Sequence, residues 1–149
     1  MAMKKVSTNV RSVSPALISK KQAAPLFASQ PAAGFPAPGD DLVEKPLDLN
    51  DLLISNPTAT FFVKVAGDSM EGAGIFNGDI LVVDRSVVAV DGKIVVAAVY
   101  GEMVVKRLRK YPNRAELVSE NDSYEPIVIN DVDDIYIWGV VVGSARVFS

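Results

Sequence analysis

Histidine and cysteine are both absent from the 149-residue chain. Without an imidazole there is no Ser-His-Asp triad, and without a thiol there is no cysteine nucleophile. Zinc sites built from these two side chains are excluded as well. Any nucleophilic chemistry must therefore use lysine, a carboxylate, tyrosine or a terminal amine as its base. Serine paired with lysine is a recurrent solution of this kind.

Long apolar runs are also absent. No stretch approaches the roughly 20 residues of a membrane-spanning helix, and the lysines near the N-terminus precede no hydrophobic leader. The lack of cysteine fits a reducing compartment. We therefore expect a cytoplasmic protein without a membrane contact. Its hydrophobic content of 49% predicts one domain with a substantial core.

Proline and β-type patterning divide the chain into three parts. Prolines recur throughout residues 1–40 and interrupt any long helix there, which predicts a flexible N-terminal arm. Residues 41–57 are interpreted as a connector and 58–149 as a β-rich domain. The strands predicted in that domain are 60–66, 79–84, 93–99, 102–109, 115–119 and 135–147, with Tyr100-Gly101 as a hairpin turn.

Strands at this spacing with few helices predict a mostly β fold, a compact and strongly bent sheet or partial barrel. Residues 135–148 are long and almost wholly apolar. Such a strand is either buried on both faces or part of a dimer interface.

Two groups of like-charged residues are candidate binding sites, one for nucleic acid and one for a metal ion. Residues 1–33 carry five basic side chains and no acid. This arm could bind nucleic acid or lie on its own acidic body, and we favour the second because the charges are sparse. The acidic cluster Asp131, Asp133 and Asp134 is interpreted as a surface loop and not as a metal site, since no second set of ligands accompanies it.

A strand followed by a sharp turn leads to a serine in FFVKVAGDSM, residues 61–70. Alternating apolar residues predict the strand, and Gly67-Asp68 ends it because glycine permits the backbone angles of a tight turn. Ser69 would be exposed for attack there. In a short helical turn the amides of Ser69 and Met70 would face a developing oxyanion. The alternative is an ordinary helix cap.

A lysine within an apolar strand is the candidate base. In EMVVKRLR the two-residue period of a strand puts Val104, Lys106 and Leu108 on one face and the arginines on the other. Burial among apolar groups lowers a lysine pKa from about 10.4, because a low dielectric penalises the ammonium. The alternative is a solvated amine on a buried stem. From these residues alone the structural interpretation is favoured over catalysis.

Several segments together resemble the LexA/UmuD family of self-cleaving serine peptidases. They are GDSM at 67–70, GAGIFNGDILVVDRS at 72–86, DGKIVVAAVYGEMVVKRL at 91–108, GFPAPGDD at 34–41 and, more broadly, residues 48–70. The similarity covers most of the chain from about Pro25 onward. Motifs in this order and at this spacing are far more specific than a serine and a lysine alone.

The resemblance implies a nucleophile at Ser69, a general base at Lys106 and self-cleavage of the bond Ala33-Gly34. It implies a fold like the LexA C-terminal domain, and cleavage stimulated by a RecA–single-stranded DNA filament. The trimmed product would be a homodimer that works with a UmuC-like Y-family DNA polymerase in SOS mutagenesis. No cofactor is implied.

Two other functions stay open. The folded dimer could be a non-enzymatic module that binds RecA or the polymerase, with cleavage incidental. The chain could also be a fragment of a LexA-type repressor. Only 33 residues precede Gly34, too few and too often interrupted by proline for a helix-turn-helix domain. We therefore expect no direct sequence-specific DNA binding.

Overall fold

The computed structural model describes most of the chain. The described residues are 8–16, 23–27, 43–130 and 134–148, and of 23–27 and 43–45 only the backbone is described. The bond Ala33-Gly34 lies outside them, as do Asp131 and Asp133 of the acidic cluster. No helix in this part of the chain is long and apolar enough to cross a membrane.

Strands dominate the described residues. In chain order the elements are β1 Asn9–Pro15, β2 Ala23–Phe27, β3 Val43–Asp48, α1 Leu49–Leu53, a 3-10 turn Pro57–Ala59, β4 Thr60–Ala66, a 3-10 turn Glu71–Ala73, β5 Ile80–Asp84, β6 Ile94–Val99, β7 Glu102–Tyr111, β8 Arg114–Val118, β9 Ile127–Ile129 and β10 Ile135–Ala145.

Six antiparallel strands form a closed barrel in the order β1-β4-β5-β10-β6-β7. β1 closes it, because this strand pairs with β4 along its length and also with β7 at Asn9 opposite Val104. β8 and β9 extend the sheet beyond β7, and β2 pairs with β3 as a separate ribbon. The mostly β, barrel-like fold class is confirmed, and the barrel is closed rather than partial.

The core has two apolar clusters on opposite faces of the barrel wall, as the alternation of side chains along a strand requires. One contains Val63, Leu81 and Val105, together with Met70 from the loop after β4. The other contains Val104 and Leu108 of β7 with residues of β6, β8 and β10. Both faces of β7 are therefore apolar near its centre, which is where Lys106 lies.

The predicted strands of the domain are present within a few residues of their expected bounds. Tyr100 and Gly101 both have positive φ, 49° and 84°, as a tight hairpin turn between β6 and β7 requires. Four strands were not expected. β1 and β2 lie in residues that the sequence assigned to the arm, β3 lies in the predicted connector, and the short strand β9 of the domain was missed. The division into arm, connector and domain stays a prediction.

The apolar segment near the C-terminus is an interior strand of the sheet. β10 pairs with β5 on one side and β6 on the other, so both of its edges are used. Its Gly139 is required by a close contact, since a Cβ there would lie 2.6 Å from Val83 Cγ1. Tyr136 and Val142 are exposed. If β10 takes part in a homodimer, which stays a prediction, it would do so through this outward face and not through an edge.

Candidate active site

Ser69 lies in the loop that follows β4. Gly67 has a φ of 106°, which ends the strand, and a 3-10 turn begins at Glu71 with Met70 as its cap. The Met70 side chain is fully buried in the first apolar cluster and anchors the loop. Ser69 is fully buried as well. The turn after the strand was predicted, whereas the complete burial of the serine was not.

Lys106 is a buried lysine on β7. Only 4% of its surface is exposed, and its strand neighbours Val104 and Leu108 are buried too. Burial lowers the pKa of Lys106 from its ordinary value, because the loss of hydration destabilises the charged ammonium more than the neutral amine. The Nζ donates a hydrogen bond of 2.7 Å to Ser119 Oγ, which is also buried. Burial therefore favours the neutral amine of Lys106 over the ammonium.

Thr8 joins the serine to the strand of the lysine. Its backbone N–H donates to Ser69 Oγ over 2.8 Å, and its carbonyl accepts from the N–H of Val105 over 3.1 Å. One residue thus contacts the Ser69 hydroxyl on one side and the residue preceding Lys106 on the other. The same contact covers Ser69 Oγ with the residue that leads into β1.

A second series of contacts joins them through Tyr124. Lys106 Nζ lies 5.3 Å from the centroid of the Tyr124 ring, and the phenol donates to Asp68 Oδ1 over 2.6 Å. Asp68 directly precedes Ser69. Burial, together with the hydrogen bond to Asp68, raises the pKa of Tyr124 to about 12. The phenol therefore stays protonated while a lysine with a lowered pKa titrates.

The loop of Ser69 and the loop after β8 approach each other at the backbone. Gly72 N–H donates to Glu120 O over 2.9 Å, and Asn121 Nδ2 donates to Asp68 O over 3.3 Å. A Cβ on Gly72 would lie 2.6 Å from Glu120 O, so only glycine permits this approach. The Glu120 carboxylate in turn accepts from Arg107 Nε of β7. One backbone contact and one side-chain contact thus fix the spacing of the two loops.

The amides of Ser69 and Met70 are buried donors beside the candidate nucleophile. Within the described part of the chain, neither N–H donates a hydrogen bond, whereas the amides of Glu71 and Ala73 bond to carbonyls within the turn. Two N–H groups beside a candidate nucleophile are the kind of donors that stabilise an oxyanion.

The structure brings the segments of Ser69 and Lys106 together. Sequence reasoning missed three neighbours, Thr8, Ser119 and Tyr124. The two-residue strand period shows which side of β7 Lys106 faces, but the pairing register of β7 with β8 is needed to put Ser119 beside it. Among the described residues, no group of three carboxylates could hold a metal ion.

Comparison with known proteins assigns the family. The sequence profile described as Peptidase S24-like matches residues 25–142. The chain belongs to the S24-like peptidase family. Ser69, Lys106 and Ser119 all lie within the matched range. Membership assigns the chain to the serine peptidases, which agrees with a buried serine beside the strand of a buried lysine.

Several S24-like relatives align over most of the chain. Protein ImpA of Salmonella typhimurium is 47% identical over 118 residues, covering 78% of this chain and 79% of its own. Protein SamA of Salmonella typhimurium strain LT2 is 41% identical over 129 residues, covering 87% and 89%. The LexA repressor of Bordetella parapertussis is 40% identical over 115 residues, covering 77% of this chain but 53% of the repressor. These relatives place the chain in the LexA/UmuD group.

Proposed function

We propose that the chain is a self-cleaving serine peptidase of the SOS mutagenesis type, with Ser69 as nucleophile and Lys106 as general base. The bond cut is Ala33-Gly34, within its own N-terminal arm. The observation that carries the proposal is the buried lysine. Its pKa is lowered by burial, and its strand is joined to the serine loop through both Thr8 and Tyr124.

The reaction begins when the neutral Lys106 amine takes the proton of Ser69 Oγ. The oxygen attacks the Ala33 carbonyl carbon, and the amides of Ser69 and Met70 donate to the oxyanion. The Lys106 ammonium then gives its proton to the Gly34 nitrogen as the C–N bond breaks. The same amine then deprotonates a water that attacks the Ala33 carbonyl carbon of the acyl-enzyme. The bond to Ser69 Oγ breaks, and this oxygen regains its proton from Lys106.

The direct test is mass spectrometry of the purified full-length chain after incubation at neutral and raised pH. We expect a fragment that begins at Gly34, and its rate of formation should rise with pH as Lys106 loses its proton. A pH-independent rate would contradict the assignment of Lys106. Because its pKa is raised to about 12, the Tyr124 phenol stays protonated across the neutral to mildly alkaline range of this assay.

Two substitutions separate the roles. Ser69→Ala removes the nucleophile, and Lys106→Arg keeps the positive charge but cannot give a neutral base in a protein. We expect both variants to be inactive, with a loss of at least about a thousandfold. Cleavage retained in Lys106→Arg would refute the base assignment. Thermal unfolding of both variants controls for loss of the fold.

The proposed partners are those that the resemblance to the LexA/UmuD family implies. A RecA–single-stranded DNA filament is expected to stimulate cleavage, and the product is expected to act as a homodimer with a UmuC-like Y-family polymerase. The rival function is a non-enzymatic module that binds the same partners. Under that function Ser69→Ala would retain full cellular mutagenesis activity. A repressor fragment would instead bind DNA with sequence specificity.

A further inference from the structure

Ser119 is held firmly beside the amine of Lys106. It directly follows β8, and its Oγ accepts the hydrogen bond from Nζ at 2.7 Å. The next residue, Glu120, is fixed from two directions. Its carbonyl accepts from Gly72 N–H and its carboxylate accepts from Arg107 Nε. Ser119 is therefore a stationary acceptor and not a mobile surface hydroxyl.

A lysine amine needs such an acceptor to act as a directed base. The side chain has four rotatable carbon–carbon bonds, and the amine itself rotates about the Cε–Nζ bond. A neutral amine carries two N–H bonds and a single lone pair. When one N–H is held by an acceptor on a fixed loop, the directions open to the lone pair are restricted. Burial makes the amine neutral, but it does not by itself aim the lone pair.

We propose that Ser119 is a positioning residue whose hydroxyl holds Lys106 Nζ so that the amine lone pair is directed at Ser69 Oγ. The proposal deepens the proposed function and rests on it. Ser119 touches neither the bond to be cut nor the nucleophile in this role, and it acts only through Lys106.

The hydroxyl has two effects on Lys106, and they act on the rate in opposite directions. A hydroxyl oxygen accepts more strongly from an ammonium than from an amine, so removing it makes Lys106 easier to deprotonate. Removing it also releases the amine from its orientation, which slows proton transfer. A residue needed only for folding would not produce this combination.

A substitution at Ser119 leaves the chemistry of the neighbouring groups unchanged. These include the neutral phenol of Tyr124, the carboxylates of Asp68 and Glu71 near that phenol, and the ion pair of Arg107 with Glu120. Because these groups stay in place, a change in the titration of Lys106 after a substitution at 119 reports on the hydroxyl.

The experiment compares Ser119→Thr with Ser119→Val, two side chains of nearly the same shape of which only threonine has a hydroxyl. Self-cleavage rates of the full-length chain are measured across pH. We expect Ser119→Thr to keep the wild-type profile. The plateau rate of Ser119→Val should be roughly 10- to 100-fold lower than that of the wild type, and the midpoint of its pH profile should move to lower pH. A wild-type profile in Ser119→Val overturns the proposal, and so does an equal loss in both variants.

A second readout does not depend on cleavage. In the Ser69→Ala background, the Lys106 Cε resonance of 13C-lysine-labelled chain is titrated with threonine or valine at 119, and Lys106→Met assigns the signal. A lower titration midpoint with valine supports the contact, and identical midpoints refute it. If this shift appears but the wild-type chain never cleaves itself, the proposed function fails while the contact stands. Ser119→Ala replaces the valine variant if thermal unfolding shows that valine disrupts the fold.

Discussion

On the proposed mechanism, self-cleavage and β1 compete for the space beside Ser69 Oγ. Ser69 is fully buried and Thr8 N–H donates to its Oγ, so we expect a substrate carbonyl to reach that oxygen only after Thr8 and β1 move aside. Weakening β1 should therefore accelerate the reaction, which is the opposite of what damage to an enzyme usually does. The side chain to change is Val10, which is half-buried against the first apolar cluster.

The expected size follows from the burial of Val10. Val10→Ala removes two methyl carbons, each worth about 0.8 kcal/mol when fully buried. A half-buried side chain therefore loses about 1 kcal/mol of β1 docking, which raises the population of uncovered Ser69 about fivefold. We expect self-cleavage to become about fivefold faster. Val13→Ala is the matched control, because Val13 is 40% exposed on the same strand and its truncation should change the rate less than twofold.

The assay is the appearance of the fragment beginning at Gly34, followed by mass spectrometry over time. An unchanged or slower rate in Val10→Ala, with an intact fold, would refute the competition. The reverse perturbation is a reversible lock, Ser12→Cys with Lys64→Cys, two exposed residues that face each other between β1 and β4. The chain has no other cysteine. Oxidation should stop cleavage and a reductant should restore it, whereas cleavage at the wild-type rate in the oxidised form, or failure of the bond to form, would contradict a docked β1.

Two further predictions concern the loops around the barrel. Gly72→Ala should slow self-cleavage by about 100-fold, because its Cβ would meet the Glu120 carbonyl and separate the loops of Ser69 and Ser119. Gly143→Ala, whose Cβ would crowd the end of the Leu53 side chain and lie in ordinary contact with Val82, should keep the wild-type rate in the same assay. Arg146→Met should lower the thermal unfolding midpoint at pH 7, because hydrogen bonds from Arg146 hold the pKa of Asp79 below its usual range. That contribution is present above the unfolded carboxyl pKa of about 3.9 and is lost as pH falls through the lower folded value. The midpoints of variant and wild type should thus converge in acid, and a constant difference would show that the ion pair is not its source.

The sequence predicts the domain strands well, because their apolar residues recur with the period that a sheet imposes. It also predicts the face of Lys106 correctly, since Val104 and Leu108 are buried with it. It does not predict β1, because the residues of this strand, NVRSVSP, are mostly polar and mostly exposed to solvent. That strand forms because the edges of β4 and β7 supply hydrogen-bond partners that are distant along the chain, from Phe61 opposite Pro15 to Val104 opposite Asn9.

Ser119 shows why the rest of the site could not be predicted. A serine after a strand is unremarkable in the sequence. Its importance comes from the pairing of β7 with β8, in which Arg107 lies opposite Val118 and Lys106 therefore lies beside Ser119. Tyr124 and Asp68 meet across a separation of 56 residues in the same way. Such contacts depend on register and loop geometry, which local composition does not specify.

The closure of the barrel by β1 would give the proposed cut a thermodynamic consequence. While the bond at residues 33–34 is intact, β1 is tethered to the barrel and returns to its place at a high effective concentration. Once the bond is cut, the same strand would belong to a separate peptide, and its retention would depend on dilution. Its departure would leave unpaired N–H and C=O groups along β4, an edge that accepts another extended chain. Processing would therefore both shorten the protein and create a docking edge that the uncut form keeps occupied.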